Sequence, residues 1–380
     1  MGTPRIEINL NKIAHNVRTI IKLYAAKGIA VAGITKGVCG NPTVAEVMVK
    51  NGITIIGDSR IENICRMSQA GVAAQFMLIR SPLISQLEAV IEHVHISLNS
   101  DWSVIKKLSA IALAHNTVHK IILMVEMGDL REGFMPRHIA SMLPDLLKLE
   151  GIKLEGIGTN LACHSGIKPD VMKMDTLSEL ATDLENQFDI KFNMISGGSS
   201  ANHEWFNATN DTGRINHLRI GESIMLGLEP VGRIPIVNLY TDAFTFVAEV
   251  IESKVKPSLP YGDVGQDAFG HIPIFEDKGQ MNRIILGLGR QDLSIEGLTP
   301  QLEIDILGAS SDHTILDAKQ LEIKTGKELV FNMNYAALLS AMTSPYVIKC
   351  LSKYDERPRV LPNGRTERPE AKIAESQHSY

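Results

Sequence analysis

The chain has 380 residues, 44% hydrophobic and 21% charged, with a net charge of -5. That balance leaves no basic footprint for nucleic acid, and no apolar run approaches the roughly 18 residues of a membrane span. Four cysteines (Cys39, Cys65, Cys163 and Cys350) lack C-x-x-C spacing, which predicts free thiols in a reducing cytoplasm.

The N-terminus, Met1-Gly2-Thr3-Pro4-Arg5-Ile6-Glu7, is charged and carries no signal-peptide core. Residues 5–10 alternate as a short strand. Asn11 is placed to cap a helix with Ile13, Val17, Ile20, Ile21 and Tyr24 at helical spacing. Then comes the run Ile29-Ala30-Val31-Ala32-Gly33-Ile34, which ends in Thr35-Lys36-Gly37-Val38-Cys39-Gly40. The apolar part reads as a buried strand. Lys36 at its exit either snorkels to solvent or, desolvated, offers its amine for Schiff-base chemistry.

After Lys36 the texture repeats. Helices are expected near 42–51, 60–70, 84–94, 101–115, 137–149, 168–188 and 203–209. Strands are expected at 53–58, 75–80, 95–98, 120–126, 153–160, 191–196 and 217–222. With the Lys36 strand that makes eight, the count of a (β/α)8 barrel. A doubly wound sheet is disfavoured by that count and by the lack of G-x-G-x-x-G after the first strand. Beyond about 227 short strand-like runs appear at 244–253, 283–288, 303–307, 320–323 and 329–332, punctuated by Gly and Pro. The fold expected is α/β: a TIM-type barrel over 11–227 and a mostly β domain from 1–10 and 228–355. Residues 335–351 are helical in part, and 356–380 form a polar, disordered tail.

Barrel active sites lie at the C-terminal strand ends, and the loops after strands 7 and 8 often hold phosphate. The seventh strand here ends in Ile195-Ser196-Gly197-Gly198-Ser199-Ser200-Ala201-Asn202, a glycine-serine loop suited to an anion. The eighth carries Leu218-Arg219-Ile220-Gly221-Glu222. A buried Arg219 needs a partner: Glu222 in an internal ion pair, or a cofactor. Arg131 follows strand 5, where it could take a carboxylate bidentately, and Asn160 ends strand 6. Cys163-His164 without a second ligand pair makes no metal site. A lysine after strand 1, a phosphate loop after strand 7 and arginines at strands 5 and 8 together suit a phosphorylated aldehyde, pyridoxal 5'-phosphate.

In these residues the chain resembles the alanine racemase superfamily, and most of all the alanine/ornithine racemase branch that includes ornithine and lysine racemases. The resemblance rests on Pro4–Leu10 with Asn16, Thr35-Lys36-Gly37, Gly57-Asp58-Ser59-Arg60-Ile61-Glu62-Asn63 and Arg131-Glu132-Gly133. It continues through Ser196-Gly197-Gly198-Ser199, Arg219-Ile220-Gly221-Glu222, Gly289-Arg290-Gln291-Asp292 and Ser310-Ser311-Asp312-His313. It implies that Lys36 carries the cofactor and acts as one catalytic base. It implies that Ser196, Gly198, Ser199, Ser200 and Gly221 hold the phosphate with Tyr346, that Asn160 joins the cofactor's contacts, and that Arg219 faces the pyridine nitrogen. Alanine racemases supply a second base from the partner subunit, a tyrosine in Gly-Tyr-Ala-Asp-Gly. The matching segment here, Gly289-Arg290-Gln291-Asp292-Leu293, has none. Asp312 and His313 are the candidates in its place, with Tyr335 and Asp292 also considered. Asp292 and Arg131 are expected to contact substrate. The resemblance further implies a homodimer with shared active sites. Two other readings are a non-enzymatic pyridoxal phosphate-binding protein and a diamino-acid decarboxylase of the same fold class.

Overall fold

A computed structural model describes residues 2–354 and two short strands beyond them. The first strand, β1 (Arg5–Ile8), leads into α1 (Leu10–Ala25). The helix is capped by Asn9, not Asn11, because the Asn9 side-chain oxygen is the one that accepts from Lys12 N at 3.1 Å. Eight parallel strands then close into a barrel: β2 (Ala30–Ile34), β3 (Ile55–Asp58), β4 (Gln75–Leu78), β5 (Ile96–Asn99), β6 (His119–Met124), β7 (Ile152–Gly158), β8 (Met194–Ser199) and β9 (His217–Ile220). Closure comes from β2 pairing with β9, Ala30–Gly33 against His217–Ile220. Between the strands run α2 (Pro42–Lys50), α3 (Ile61–Gln69), α4 (Leu87–His93), α5 (Trp102–Ala114), α6 (Pro136–Leu146), α7 (Val171–Phe188) and α8 (His203–Ala208). The expected eight-strand alternation is therefore the observed architecture.

Alternation along each strand divides the barrel wall into two faces. Met77, Ile96, Leu98, Ile122 and Met124 fill the interior, with Ile55, Ile79 and Met194 against them. The opposite residues, such as Ile121, Leu123, Leu218 and Ile220, join the larger core beneath the helices. Along β8 the interior position two residues after Met194 is Ser196, and along β9 it is Arg219. The lining thus turns from apolar to polar toward the C-terminal strand ends.

After β9 comes the short helix α9 (Glu222–Leu226), then an all-β unit. Its strands are β10 (Phe244–Pro257), β11 (Gln280–Leu286), β12 (Leu298–Pro300), β13 (Asp305–Ala309), β14 (Thr314–Asp317) and β15 (Glu328–Met333). They lie in the order β12-β15-β10-β11-β14-β13. The strand expected at 320–323 is instead β14: Thr314–Asp317 finds a partner in Arg283–Leu286, and 320–323 follows as a connection. The stretch 335–351 splits into α10 (Tyr335–Thr343) and β16 (Ile348–Leu351). N-terminal β1 belongs to this sheet, antiparallel to β10 and parallel to β16. Arg5 locks it there with a bidentate pair to Glu328 at 2.6 and 2.7 Å. The expected tail, 356–380, lies outside the described residues except for Arg359–Val360 and Thr366–Glu367, which pair antiparallel. Among the described residues no helix is long and apolar enough to cross a membrane.

Buried Asn16 on α1 joins the two units. Its amide donates to Ile224 O at 3.0 Å and Tyr240 O at 2.9 Å, and its oxygen accepts from Tyr240 N at 2.8 Å. Asn16→Leu leaves three backbone groups without their partner, at about 1–3 kcal/mol for each that stays dry. We expect a lowered urea midpoint with α9 loosened, checked by denaturation and by hydrogen exchange at Tyr240.

Candidate active site

Lys36 opens a single 3-10 turn, Lys36–Val38, directly after β2. The turn is held from its flank. Thr35 N donates to Gly57 O at 2.9 Å, and Thr35 Oγ1 donates to Asp58 Oδ2 at 2.8 Å. Asp58 Oδ1 accepts from Arg60 N and Asn63 Nδ2, each at 3.0 Å. Burial pushes the Asp58 carboxyl up, and these donors pull against it. The segments Thr35-Lys36-Gly37 and Gly57–Asn63 are thus one clamp around the lysine's backbone.

The β domain reaches the same place. Tyr335, first residue of α10, lays its ring on Gly37: a Cβ there would sit 3.1 Å from the ring. Lys36 Nζ lies 5.7 Å from the ring centroid. Burial raises the Tyr335 phenol well above its usual range, with neighbouring Glu222, Cys163 and Asp58 adding to it. Tyr335 is therefore the tyrosine beside Lys36. Tyr346, expected near the phosphate, is 62% exposed on the surface. The two differ in place: Tyr335 opens α10, which packs on the lysine turn, and Tyr346 lies beyond the end of that helix.

The glycine-serine loop is shaped as a cradle. Gly198 has φ +142°, and a Cβ would meet Asn202 Oδ1 at 2.2 Å. Ser199 N donates to that oxygen at 3.0 Å, and Asn202 Nδ2 donates to Gly197 O at 3.0 Å. Ser200 Oγ accepts from Ser223 N at 3.2 Å, tying the loop to the turn at Gly221. Gly221 in turn lies against Ile34, two residues before Lys36; a Cβ would sit 3.2 Å from Ile34 O.

Arg219 is 4% exposed and spans three strands' ends. Its Nη1 donates to Ser196 Oγ; its Nη2 donates to Thr159 O at 2.7 Å and lies 3.5 Å from Asn160 Oδ1. Burial lowers its pKa to about 10, opposed by Glu132 and helped by Arg131, so it stays cationic at neutral pH. Two expectations are corrected here. Ser196 is fully buried with its hydroxyl committed to Arg219 and to His217 Nδ1 at 2.9 Å, so it is turned into the barrel and not into the glycine-serine loop. Glu222 pairs with Arg233, not Arg219; burial raises its carboxyl, with Arg233 and Lys36 opposing.

Arg131 pairs with its neighbour Glu132. Glu132 raises the Arg131 pKa most strongly, against burial, and Cys163 and Asp129 add to it. The loop is braced by Glu126 Oε1, which accepts from Gly128 N at 2.6 Å and Leu130 N at 3.0 Å. Asp129 accepts from His164 N and Ser165 N at 3.1 Å, lacing the loops after β6 and β7 together. No group of three or more metal-ligating side chains occurs among the described residues.

The remaining β-domain candidates stand apart. Asp292 is almost buried, and its carboxylate accepts from Gly289 N at 2.8 Å within its own turn. Asp312 and His313 are exposed on the β13–β14 turn, 2.8 Å apart, and among the described residues neither bonds to the barrel. Their turn packs on Gly289–Asp292 through Arg290 N to Ser310 O at 3.0 Å and Gln291 N to Ser311 O at 2.9 Å.

His217, Glu132 and Glu222 are site residues that the sequence reading did not assign. His217 was legible in principle: it lies two residues before Arg219 on one strand, so the two share a face. Burial lowers its pKa to about 3, with Arg219 second; burial likewise lowers His119 to about 4. Both rings are neutral in the fold but protonate near the ordinary 6.5 when unfolded. The unfolded chain therefore binds more protons below that value, and stability falls as pH drops from about 6.5 toward 4, by up to about 3 kcal/mol per histidine. Urea midpoints at pH 7 and pH 4 check this. His119→Gln should show a smaller drop than the parent; an equal drop would contradict the assignment.

The family model for the alanine racemase N-terminal domain matches residues 8–230. Ornithine racemase of Acetoanaerobium sticklandii is 35% identical over 350 residues, 91% of this chain and 99% of that protein. Lysine racemase of Thermotoga maritima is 39% identical over 352 residues, 92% and 98% of the two chains. Among solved structures, alanine racemase from Bartonella henselae with covalently bound pyridoxal phosphate superposes with a TM-score of 0.70 at 15% identity, covering 93% of this chain and 100% of that one; at that identity it speaks for the fold. With the family model matched over residues 8–230 and two racemases 35% and 39% identical over 91% and 92% of the chain, the protein belongs to the alanine racemase family.

Proposed function

We propose that the protein is a pyridoxal 5'-phosphate-dependent racemase that interconverts the L and D forms of ornithine or lysine. The observation that carries the reading is one barrel mouth holding Lys36, glycines at 198 and 221 where a Cβ would press on Asn202 and Ile34, and a buried cationic Arg219. These residues fit the cofactor. Lys36 would carry it through its amine. The backbone of Gly198, Ser199, Ser200 and Gly221 would take the phosphate, with Tyr335 beside it in place of Tyr346. Asn160 and Arg219 would line the ring, Arg219 toward its nitrogen. Once bound, pyridoxal phosphate acidifies the Cα proton of an amino acid joined to it.

Lys36 Nζ takes and returns that proton on one face. Arg131, already oriented by Glu132, holds the substrate carboxylate. The second face is served by a partner copy in a homodimer, through the partner subunit's Asp312 or the partner subunit's His313, both exposed and uncommitted to their own barrel. The cytoplasm is the proposed compartment, which four free cysteines suit.

The test is proton NMR in deuterated buffer with added pyridoxal phosphate. L- and D-ornithine, lysine, arginine and alanine are each followed at Cα. Loss of the signal from both enantiomers of ornithine or lysine, with inversion, supports the reading. Washout without inversion removes the second base, and no exchange with any of the four removes the racemase assignment.

A further inference from the structure

Beneath the cofactor cradle, three side chains stand in line on the inner wall of the barrel. Ser196 and His217 are register partners on β8 and β9, and Arg219 follows His217 by two residues. Both Ser196 and His217 are buried. Ser196 Oγ has Arg219 Nη1 on one side and His217 Nδ1 at 2.9 Å on the other. We propose that His217 is a positioning residue that acts through Ser196 to fix the direction of the Arg219 guanidinium toward the cofactor.

The proton inventory decides the arrangement. A guanidinium has donors only, so Ser196 Oγ accepts from Arg219. Among the described residues Ser196 Oγ has no third partner, so the arrangement that leaves the serine's single proton matched has His217 Nδ1 accepting it. His217 is therefore neutral, with its own proton on Nε2. The depressed pKa of His217 agrees with this, since burial and the nearby Arg219 both oppose a second charge. Arg131 and Glu132 act on Arg219, not on His217. The far end of the fork is held by Thr159 O at 2.7 Å, so the guanidinium is pinned across the ends of β7 and β8. With both Nη atoms engaged, Nε and the spare Nη1 hydrogen remain for a ligand.

His217 Nε2 is buried with no partner among the described residues. A buried donor left unmatched opposes folding, and such groups are rare without a reason. A leucine here would remove that cost but also the acceptor that turns the Ser196 hydroxyl away from Arg219. With no acceptor at Nδ1, the serine proton would have no partner among the described residues and the hydroxyl would lose its fixed direction. This inference rests on the proposed cofactor only for the group that Arg219 meets; the tautomer of His217 stands on the chain alone.

The first measurement is therefore made on full-length protein without cofactor, labelled with 15N-histidine. His217→Asn identifies the His217 signals among the twelve histidines. Expected are a protonated Nε2, an unprotonated Nδ1 and no titration between about pH 5 and 8, where an ordinary histidine titrates. A proton on Nδ1, or titration in that window, overturns the proposal whether or not the protein is a racemase. The second measurement is on cofactor-loaded protein. Ser196→Ala and His217→Phe should shift the absorption band of the bound cofactor and lower kcat for Cα exchange roughly 10- to 100-fold, the scale of one hydrogen bond to a charged group. KM should move little. His217→Asn, whose amide oxygen can accept the serine proton, should restore most of both. Ser196→Ala removes one oxygen and keeps the test alive where His217→Phe fails to fold. Equal losses in the Phe and Asn variants, or an unshifted band in Ser196→Ala, would mean that the triad only packs.

Discussion

Lys36→Ala should abolish Cα-proton exchange from both enantiomers, by at least about 10⁴-fold, while the protein stays folded. General-base removal alone costs about 10²–10⁴-fold, and here the same amine would also carry the cofactor. Stability should hardly change, within about 0.5 kcal/mol, the range of surface substitutions. The reason is local. The turn at Lys36 is held by Thr35 on Asp58 and Gly57, not by the lysine side chain, which is half-buried and makes no hydrogen bond in the described structure. Deuterium exchange followed by NMR, with a parallel thermal melt, measures both halves. Exchange persisting on one enantiomer would show that another group reaches that face, and the lysine would then not be the base assigned here.

Substitution at Arg219 should separate charge from geometry. Arg219→Lys keeps a cation, but one ammonium cannot span Ser196 Oγ and Thr159 O as the fork does. Cofactor should still bind, and kcat should fall about 10²- to 10³-fold, the loss seen when one preorganised donor is removed from a site. Arg219→Leu also strips the partners of Ser196 and Thr159. Each dry, unmatched group costs about 1–3 kcal/mol, so a fall in stability of roughly 2–5 kcal/mol should accompany the loss of rate. Steady-state kinetics and denaturant midpoints for the two variants check this. If Arg219→Lys were fully active, the bidentate geometry would have no role in turnover.

The two substitutions probe parts of one device. Lys36 stands at the end of β2 and Arg219 on β9, and these two strands pair directly, Ala32 opposite Arg219. Barrel closure therefore brings together residues 183 positions apart in the chain. Gly221 completes the junction, since it packs on Ile34 where any larger residue would press on the strand that presents the lysine.

Much of this was legible in the residues. Apolar runs separated by helical periods determine an eightfold alternation, because a parallel strand must be buried on both faces and a crossover must be amphipathic. Once that alternation closes, residues at the strand ends share one rim, so Lys36, Arg131, Asn160, the glycine loop and Arg219 fall together without any knowledge of contacts. Tertiary structure decided what periodicity does not encode. Tyr335, not Tyr346, meets Lys36, because the docking of α10 on the lysine turn depends on a contact between units some 300 positions apart. Ser196 sits below the glycine-serine loop because β8 runs on through Ser199, three residues beyond a reading that stopped at the first serine. Asp292 holds its own turn, and Glu222 pairs with Arg233, by hydrogen bonds whose partners depend on loop conformation. Strand and helix periods are local properties of the chain; the partner of a polar side chain is chosen only when distant segments pack and water is excluded between them.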